Sequence, residues 1–141
     1  MANVAPVTGS VLRSANGRKS EGKALEAIAQ GDVLYEDPAT KKLGLAQCDD
    51  TAIKATVKGV ALNAAAAEQP VDYCTVDPDG LTLGAATLAQ GTVLVLSPTP
   101  GKMRPVADLE ASDRVVTLGV ASSATKLILS IHNSGASVPA A

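Results

Sequence analysis

The stretch Ala29-Gln30-Gly31-Asp32-Val33-Leu34 occurs almost twice. Sixty residues on, the chain reads Ala89-Gln90-Gly91-Thr92-Val93-Leu94, and the same offset carries Pro38 onto Pro98 and Gly59-Val60-Ala61 onto Gly119-Val120-Ala121. Over windows 28–38 and 59–64 the identities are 6 of 11 and 4 of 6, against roughly one or two expected by chance in so Ala-, Gly- and Val-rich a chain. Gly31 to Gly59 and Gly91 to Gly119 are both 28 residues, so no insertion separates the two registers. The reading is two copies of one supersecondary unit, about 26–64 and 86–124. A solenoid would need three or more shorter repeats.

Each copy carries a hairpin signal. Val33–Glu36 and Leu43–Ala46 flank Asp37-Pro38-Ala39-Thr40-Lys41-Lys42, with Asp and Pro at the first two turn positions. In the second copy Thr92–Leu96 and Lys102–Val106 flank Ser97-Pro98-Thr99-Pro100-Gly101. A polar turn follows each hairpin, the second long enough for one helical turn within 108–113. The chain then returns as strands over Ile53–Leu62 and Arg114–Ala121. Gly59 and Gly119 interrupt these return strands, where glycine marks a bulge or a close backbone approach. Residues 70–76 and 81–83 read as strands joined by a turn at Asp77-Pro78-Asp79-Gly80, and Lys126–Ile131 as a last strand. Residues 23–29 are too short for a stable helix and read as loop or strand. About eight short strands at this spacing predict an all-β fold, a small β-barrel or sandwich.

At 141 residues the chain has room for one core, placed at 23–131. The apolar residues, 46% of the chain, are almost all Ala, Val, Leu and Ile, with two Tyr and no Phe or Trp. That suits closely packed sheets and leaves a ligand few aromatic platforms. A net charge of -2 gives no reason to expect nucleic acid or an anionic membrane as partner. Without an apolar leader or a membrane-length apolar run, the chain reads as made and kept in the cytosol, with Cys48 and Cys74 reduced and packed as small hydrophobes.

Residues 1–22 mix Gly, Ser, Asn and Pro with isolated Val4, Val7, Val11 and Leu12. Such a segment reads either as a frayed end or as an extended arm that orders on a neighbouring surface, with the aliphatics as pegs and Arg13, Arg18 and Lys19 as charge partners. The tail 132–141 reads as flexible. Gly31, Gly59, Gly91 and Gly119 are the structural glycines of the two copies.

Catalytic patterns are sparse. Ser20-Glu21-Gly22-Lys23 and Ser123-Ala124-Thr125-Lys126 match S-x-x-K but lack the helix that would align Ser with Lys. Asp77-x-Asp79-Gly80 begins like a calcium loop without its further ligands. His132 is the only histidine, so the usual zinc sites and acid–base pairs have too few members. Asp49-Asp50 and Asp108/Asp113 read as solvated turn residues rather than paired carboxylates. No catalytic residue, metal or cofactor is expected.

The order Gly31-Asp32-Val33-Leu34-Tyr35, a Pro turn, then Lys58-Gly59-Val60-Ala61-Leu62 through Glu68-Gln69-Pro70-Val71-Asp72-Tyr73 resembles the head-decoration, or capsid cement, proteins of tailed bacteriophages. The resemblance covers about residues 24–131. It departs at Glu68-Gln69-Pro70, where Gly-Glu-Pro is usual in that family. It implies a β-rich, non-enzymatic virion protein, made in the host cytoplasm, that binds the major capsid protein on the outside of an expanded capsid, commonly as a homotrimer. Two other classes stay open at this point: a small enzyme domain, and a β-barrel module binding a ligand or glycan.

Overall fold

The computed structural model describes Val4, residues 11–83 and residues 88–138. Its strands are β1 (Arg18–Lys23), β2 (Val33–Glu36), β3 (Leu43–Leu45), β4 (Val57–Ala61), β5 (Pro70–Thr82), β6 (Val93–Leu96), β7 (Met103–Pro105), β8 (Arg114–Ala121) and β9 (Lys126–Ser137), with one 3₁₀ turn at Val106–Asp108. The fold is all-β, and no α-helix occurs among the described residues. One antiparallel sheet runs β3-β2-β4-β5-β9-β8-β6-β7 and curls into a half-barrel, with β1 added to β5 off this path.

The repeated stretch becomes a tight turn that feeds a strand. Gly31 and Gly91 sit at φ 89° and 87°, left-handed values that glycine adopts without steric cost. The Asp32 and Thr92 N–H groups close the turn on the Ala29 and Ala89 carbonyls. Gly31 then donates to the Ala61 carbonyl and Gly91 to that of Ala121, each at 2.8 Å. The strand ladders keep the same offset: Leu34 faces Gly59 and Tyr35 faces Val57, as Leu94 faces Gly119 and Val95 faces Thr117. Both return strands therefore carry an extra residue, Lys58 or Leu118, beside the glycine. These are the bulges that the glycines predict. A Cβ on Gly59 would stand 2.6 Å from the Cys74 carbonyl oxygen, and one on Gly119 would overlap that of Ile128.

The two hairpin tips are also built alike. Asp37 N–H donates to the Lys42 carbonyl and Ala39 N–H to the Asp37 carboxylate; Ser97 N–H donates to the Lys102 carbonyl and Thr99 N–H to the Ser97 hydroxyl. Lys41 and Gly101 share a left-handed φ, 62° and 76°. Glu68 also has a left-handed φ, 72°.

Burial separates the two units. Val33, Val57 and Val60 of the first lie in the main core, together with Leu94, Met103 and Ala121 of the second. The residues of the first unit that correspond to the latter, Leu34, Leu43 and Ala61, lie in a second cluster on the other side of the sheet, closed by Ala24, Ile28, Ala65, Val71 and Tyr73. The units thus turn opposite faces toward the shared core, and the first is covered on both faces.

Four expectations need correcting. The first return strand, expected over Ile53–Leu62, begins only at Val57, because the Ala55 and Thr56 N–H groups close turns on the Thr51 and Ile53 carbonyls. Asp77–Gly80 is not a turn between strands: β5 runs through it with a register shift between Asp77 and Leu81. Asp77 is fully buried there because its carboxylate accepts the Ser14 N–H, at 2.7 Å, and the Ser14 hydroxyl. The tail is strand to Ser137, since Asn133 and Ser137 face Val116 and Arg114 of β8 and Val138 exchanges backbone bonds with Ser112 and Asp113; residues 139–141 lie outside the described residues. Residues 11–22 are not a free arm. β1 pairs with β5 from Arg18↔Val76 to Lys23↔Pro70, and Leu12 bridges Thr82.

Candidate interaction surfaces

The arm is laid on its own sheet, and its aliphatic pegs face different ways. Val11 is 1% exposed and belongs to the core. Val4 donates its N–H to the Met103 carbonyl and packs against the same core. Val11 is therefore not available to a partner, and Val4 is partly buried. Val7 lies outside the described residues. Leu12 is 59% exposed. The Arg13 guanidinium donates to the Gly17 carbonyl, and Lys19 pairs loosely with Asp72 at 3.4 Å. Arg18 and Lys19 lie on the exposed β1. Of the arm residues expected to meet a partner, Leu12, Arg13, Arg18 and Lys19 are exposed, along the edge of β5 that this segment pairs with.

A second surface was not visible in the sequence. Val93, Thr117, Val120, Ile128, Ser130 and His132 line a shallow hollow of about 450 Å³ on the outer face of β6, β8 and β9. Val120 and Ile128 are 39% and 37% exposed. Alternation alone does not mark this face as open. Val120 sits in the same Gly-Val-Ala as Val60, which is buried; the one local sign is Thr117, polar where the first unit has Val57.

The groups that could carry chemistry are scattered. Cys48 and Cys74 are free and buried, and burial pushes their thiols up to about 12 and about 11, with nearby carboxylates (Asp113 and Asp49 for Cys48, Asp77 for Cys74) adding to the effect. Such thiols stay protonated and unreactive. Ser20 and Lys23 lie on β1 three residues apart, so the strand turns them to opposite faces. The Ser123 hydroxyl is engaged by the Thr125 N–H. His132 stands on the rim of the hollow. No group of three or more His, Cys, Asp or Glu side chains is placed to hold a metal among the described residues.

The buried charges are structural. Asp113, expected as a solvated turn residue, is instead buried: it takes the Arg104 guanidinium at 2.7 Å and the Glu110 N–H at 3.0 Å, which ties the loop after β7 to its strand. Asp32 takes Lys102 at 3.0 Å, while the Gly101 carbonyl accepts the Val33 N–H and the Gly101 N–H donates to Ala46. The second hairpin tip is thereby docked on the first unit. No protein-family model matches the chain, and no curated protein matches it.

Proposed function

We propose that this protein is a structural virion component that decorates the outer surface of an expanded bacteriophage capsid and stabilises it by bridging copies of the major capsid protein, without catalysis or cofactor. The observation that carries the reading is where exposed apolar residues lie: Leu12 is on a sheet edge and Val120 and Ile128 on an open sheet face, with Ile53 and Val106 exposed on connecting turns, while no group of three His, Cys, Asp or Glu side chains is placed to hold a metal among the described residues. Open faces and edges bind other surfaces, whereas small ligands favour enclosed clefts. The sequence resemblance supplies the kind of partner. A filled shell strains modest subunit contacts, and a protein seated across neighbours adds contact area there. A homotrimer multiplies each weak contact.

In this reading the strip of Leu12, Arg18 and Lys19 faces the shell, with the sheet behind it holding the strip extended, so little ordering cost remains on binding. Cosedimentation with purified expanded and unexpanded shells tests it. The protein should pellet with expanded shells, and Leu12→Asp with Arg18→Glu should weaken binding at least tenfold while leaving the melting temperature near that of the wild type. Equal recovery with and without shells overturns the reading.

A further inference from the structure

The open face of β6, β8 and β9 has a counterpart that the chain itself covers. Val33, Ala46 and Val60 are 0% exposed and Val57 is 5% exposed. Their counterparts sixty residues on are Val93 and Thr117, both half-buried, and Val106 and Val120, exposed at 40% and 39%. The backbone pairing beneath is the same in both units. The difference is that the second unit packs over this face of the first, whereas on the second unit the chain covers only the Val95–Arg104 end of the face, both buried, and leaves Val93, Thr117 and Val120 open.

The covering joint has a defined part, the Ser97–Lys102 tip, whose Gly101 bonds to Val33 and Ala46. The first unit carries a tip that shares two of these bonds, Asp37–Lys42, with Lys41 left-handed like Gly101 and Lys42 where Lys102 stands, although the Lys41 N–H closes on the Asp37 carbonyl where the Gly101 N–H reaches Ala46. Yet Gly101 is buried and Lys41 is exposed. One molecule therefore ends in an exposed tip at one unit, tied back only by the Lys42–Glu68 ion pair, and a partly open face at the other.

We propose that a second copy of this chain covers the open face, its Asp37–Lys42 tip docking beside Thr92 and Val93 as the Ser97–Lys102 tip docks beside Asp32 and Val33; the Val106 carbonyl, bound to the Leu109 N–H, leaves the bond to the Val93 N–H as the one carried over. The interface continues, between molecules, the joint that each molecule makes with itself. It is heterologous: tip meets face, leaving a tip and a face free for further copies until a ring closes. Thr92 replaces the Asp32 that holds Lys102, so the joint between copies lacks that ion pair and is the weaker of the two. The inference rests on the self-association in the proposed function and is independent of the capsid.

Light scattering and disulfide trapping test it without shells, so the capsid reading can fail while this inference stands. Val120→Glu, at an exposed position, should fold and scatter as a single chain where the wild type scatters as a multimer. A Cβ on Gly101 would lie 3.2 Å from the Asp32 side-chain carbon, which places Lys41→Cys of one copy within disulfide reach of Thr92→Cys of the next. Oxidation of the double variant should give linked multimers; each single variant should stay unlinked. A wild type that remains one chain at about 100 μM, and so binds itself with a Kd weaker than that, overturns the inference. So does a Val120→Glu protein that still associates, or linked dimers from Thr92→Cys alone, which would mean a symmetric contact.

Discussion

The two units have one backbone plan and different side-chain surroundings. At one cross-strand pair the first unit has Tyr35 opposite Gly44 and the second Val95 opposite Arg104. A Cβ on Gly44 would meet the Tyr35 ring at 2.7 Å, so the large aromatic requires the glycine, while the smaller Val95 leaves room for Arg104 to reach Asp113. The exchange moves the bulk from one strand to the other and converts an apolar contact into a buried ion pair. A repeated backbone thus does not dictate which face is covered. That is decided by what the rest of the chain lays against it, and in the first unit both faces are covered.

The comparison breaks most sharply at the bulge glycines. Gly119→Ala should cost more than about 4 kcal/mol or prevent folding, because the added methyl overlaps a backbone oxygen at a φ of 151°. Gly59→Ala, with its clash at 2.6 Å and no left-handed φ, should cost about 2–4 kcal/mol. Gly91→Ala meets nothing within 4 Å and should cost only the left-handed penalty of about 1–2 kcal/mol. Urea melts rank the three, and an equal cost at all of them would remove the distinction between bulge and turn.

The arm gives the next largest effect. A chain starting at Glu21 loses the core side chain Val11, the Ser14 cap on Asp77 and half of β1, and should melt well below the full protein. Val11→Ala alone should cost about 2 kcal/mol. Gly17→Val, innocuous in a free arm, should also destabilise, since its Cβ would lie 2.7 Å from the buried Asp77 carboxylate. A truncated chain that melts like the full one would show the arm to be dispensable.

Alkali should act on the buried thiols of the two halves. Their folded pKa values, about 12 for Cys48 and about 11 for Cys74, lie above the ordinary 9.0, so the unfolded chain loses those protons first. The stability this gives is complete below pH 9 and falls as pH rises toward 11 and 12. Cys48→Ala with Cys74→Ala should flatten the fall in denaturation midpoint over that window, though Lys54, held charged by Asp50, leaves a smaller decline above its own ordinary value. An unchanged slope would mean that the thiols do not carry it.

The smallest effect is at the tips. Lys41→Gly relieves a left-handed lysine and should stabilise by up to about 1 kcal/mol, while Gly101→Ala should destabilise by about 1–2 kcal/mol through φ 76° and a close approach to Leu45. Thermal melts give both signs.

What the sequence made legible was local. The hairpins, the Gly31 and Gly91 turns and the bulges at Gly59 and Gly119 follow from residue type and spacing, and Arg114–Ala121 is a strand to the residue. What it concealed depends on distant partners. Asp77 reads as a turn because its cap, Ser14, is 63 residues away. The stretch 132–138 reads as tail because it has no apolar alternation; backbone bonds to β8 and the Asn133 amide bound to Val57 hold it in place. The pegs of the arm read as bait for a partner, yet Val11 fills the core of its own chain. The open face was hidden by the repeat itself, since Val60 and Val120 have the same immediate neighbours.

The central claim is that the same face is covered in the first unit and open in the second. Val60→Glu and Val120→Glu, compared by urea melts in dilute solution, test it most directly. Val60→Glu should lose on the order of 4 kcal/mol or fail to fold, because it buries an unpaired carboxylate. Val120→Glu should stay within about 0.5 kcal/mol of the wild type. Equal losses at the two positions would contradict the claim.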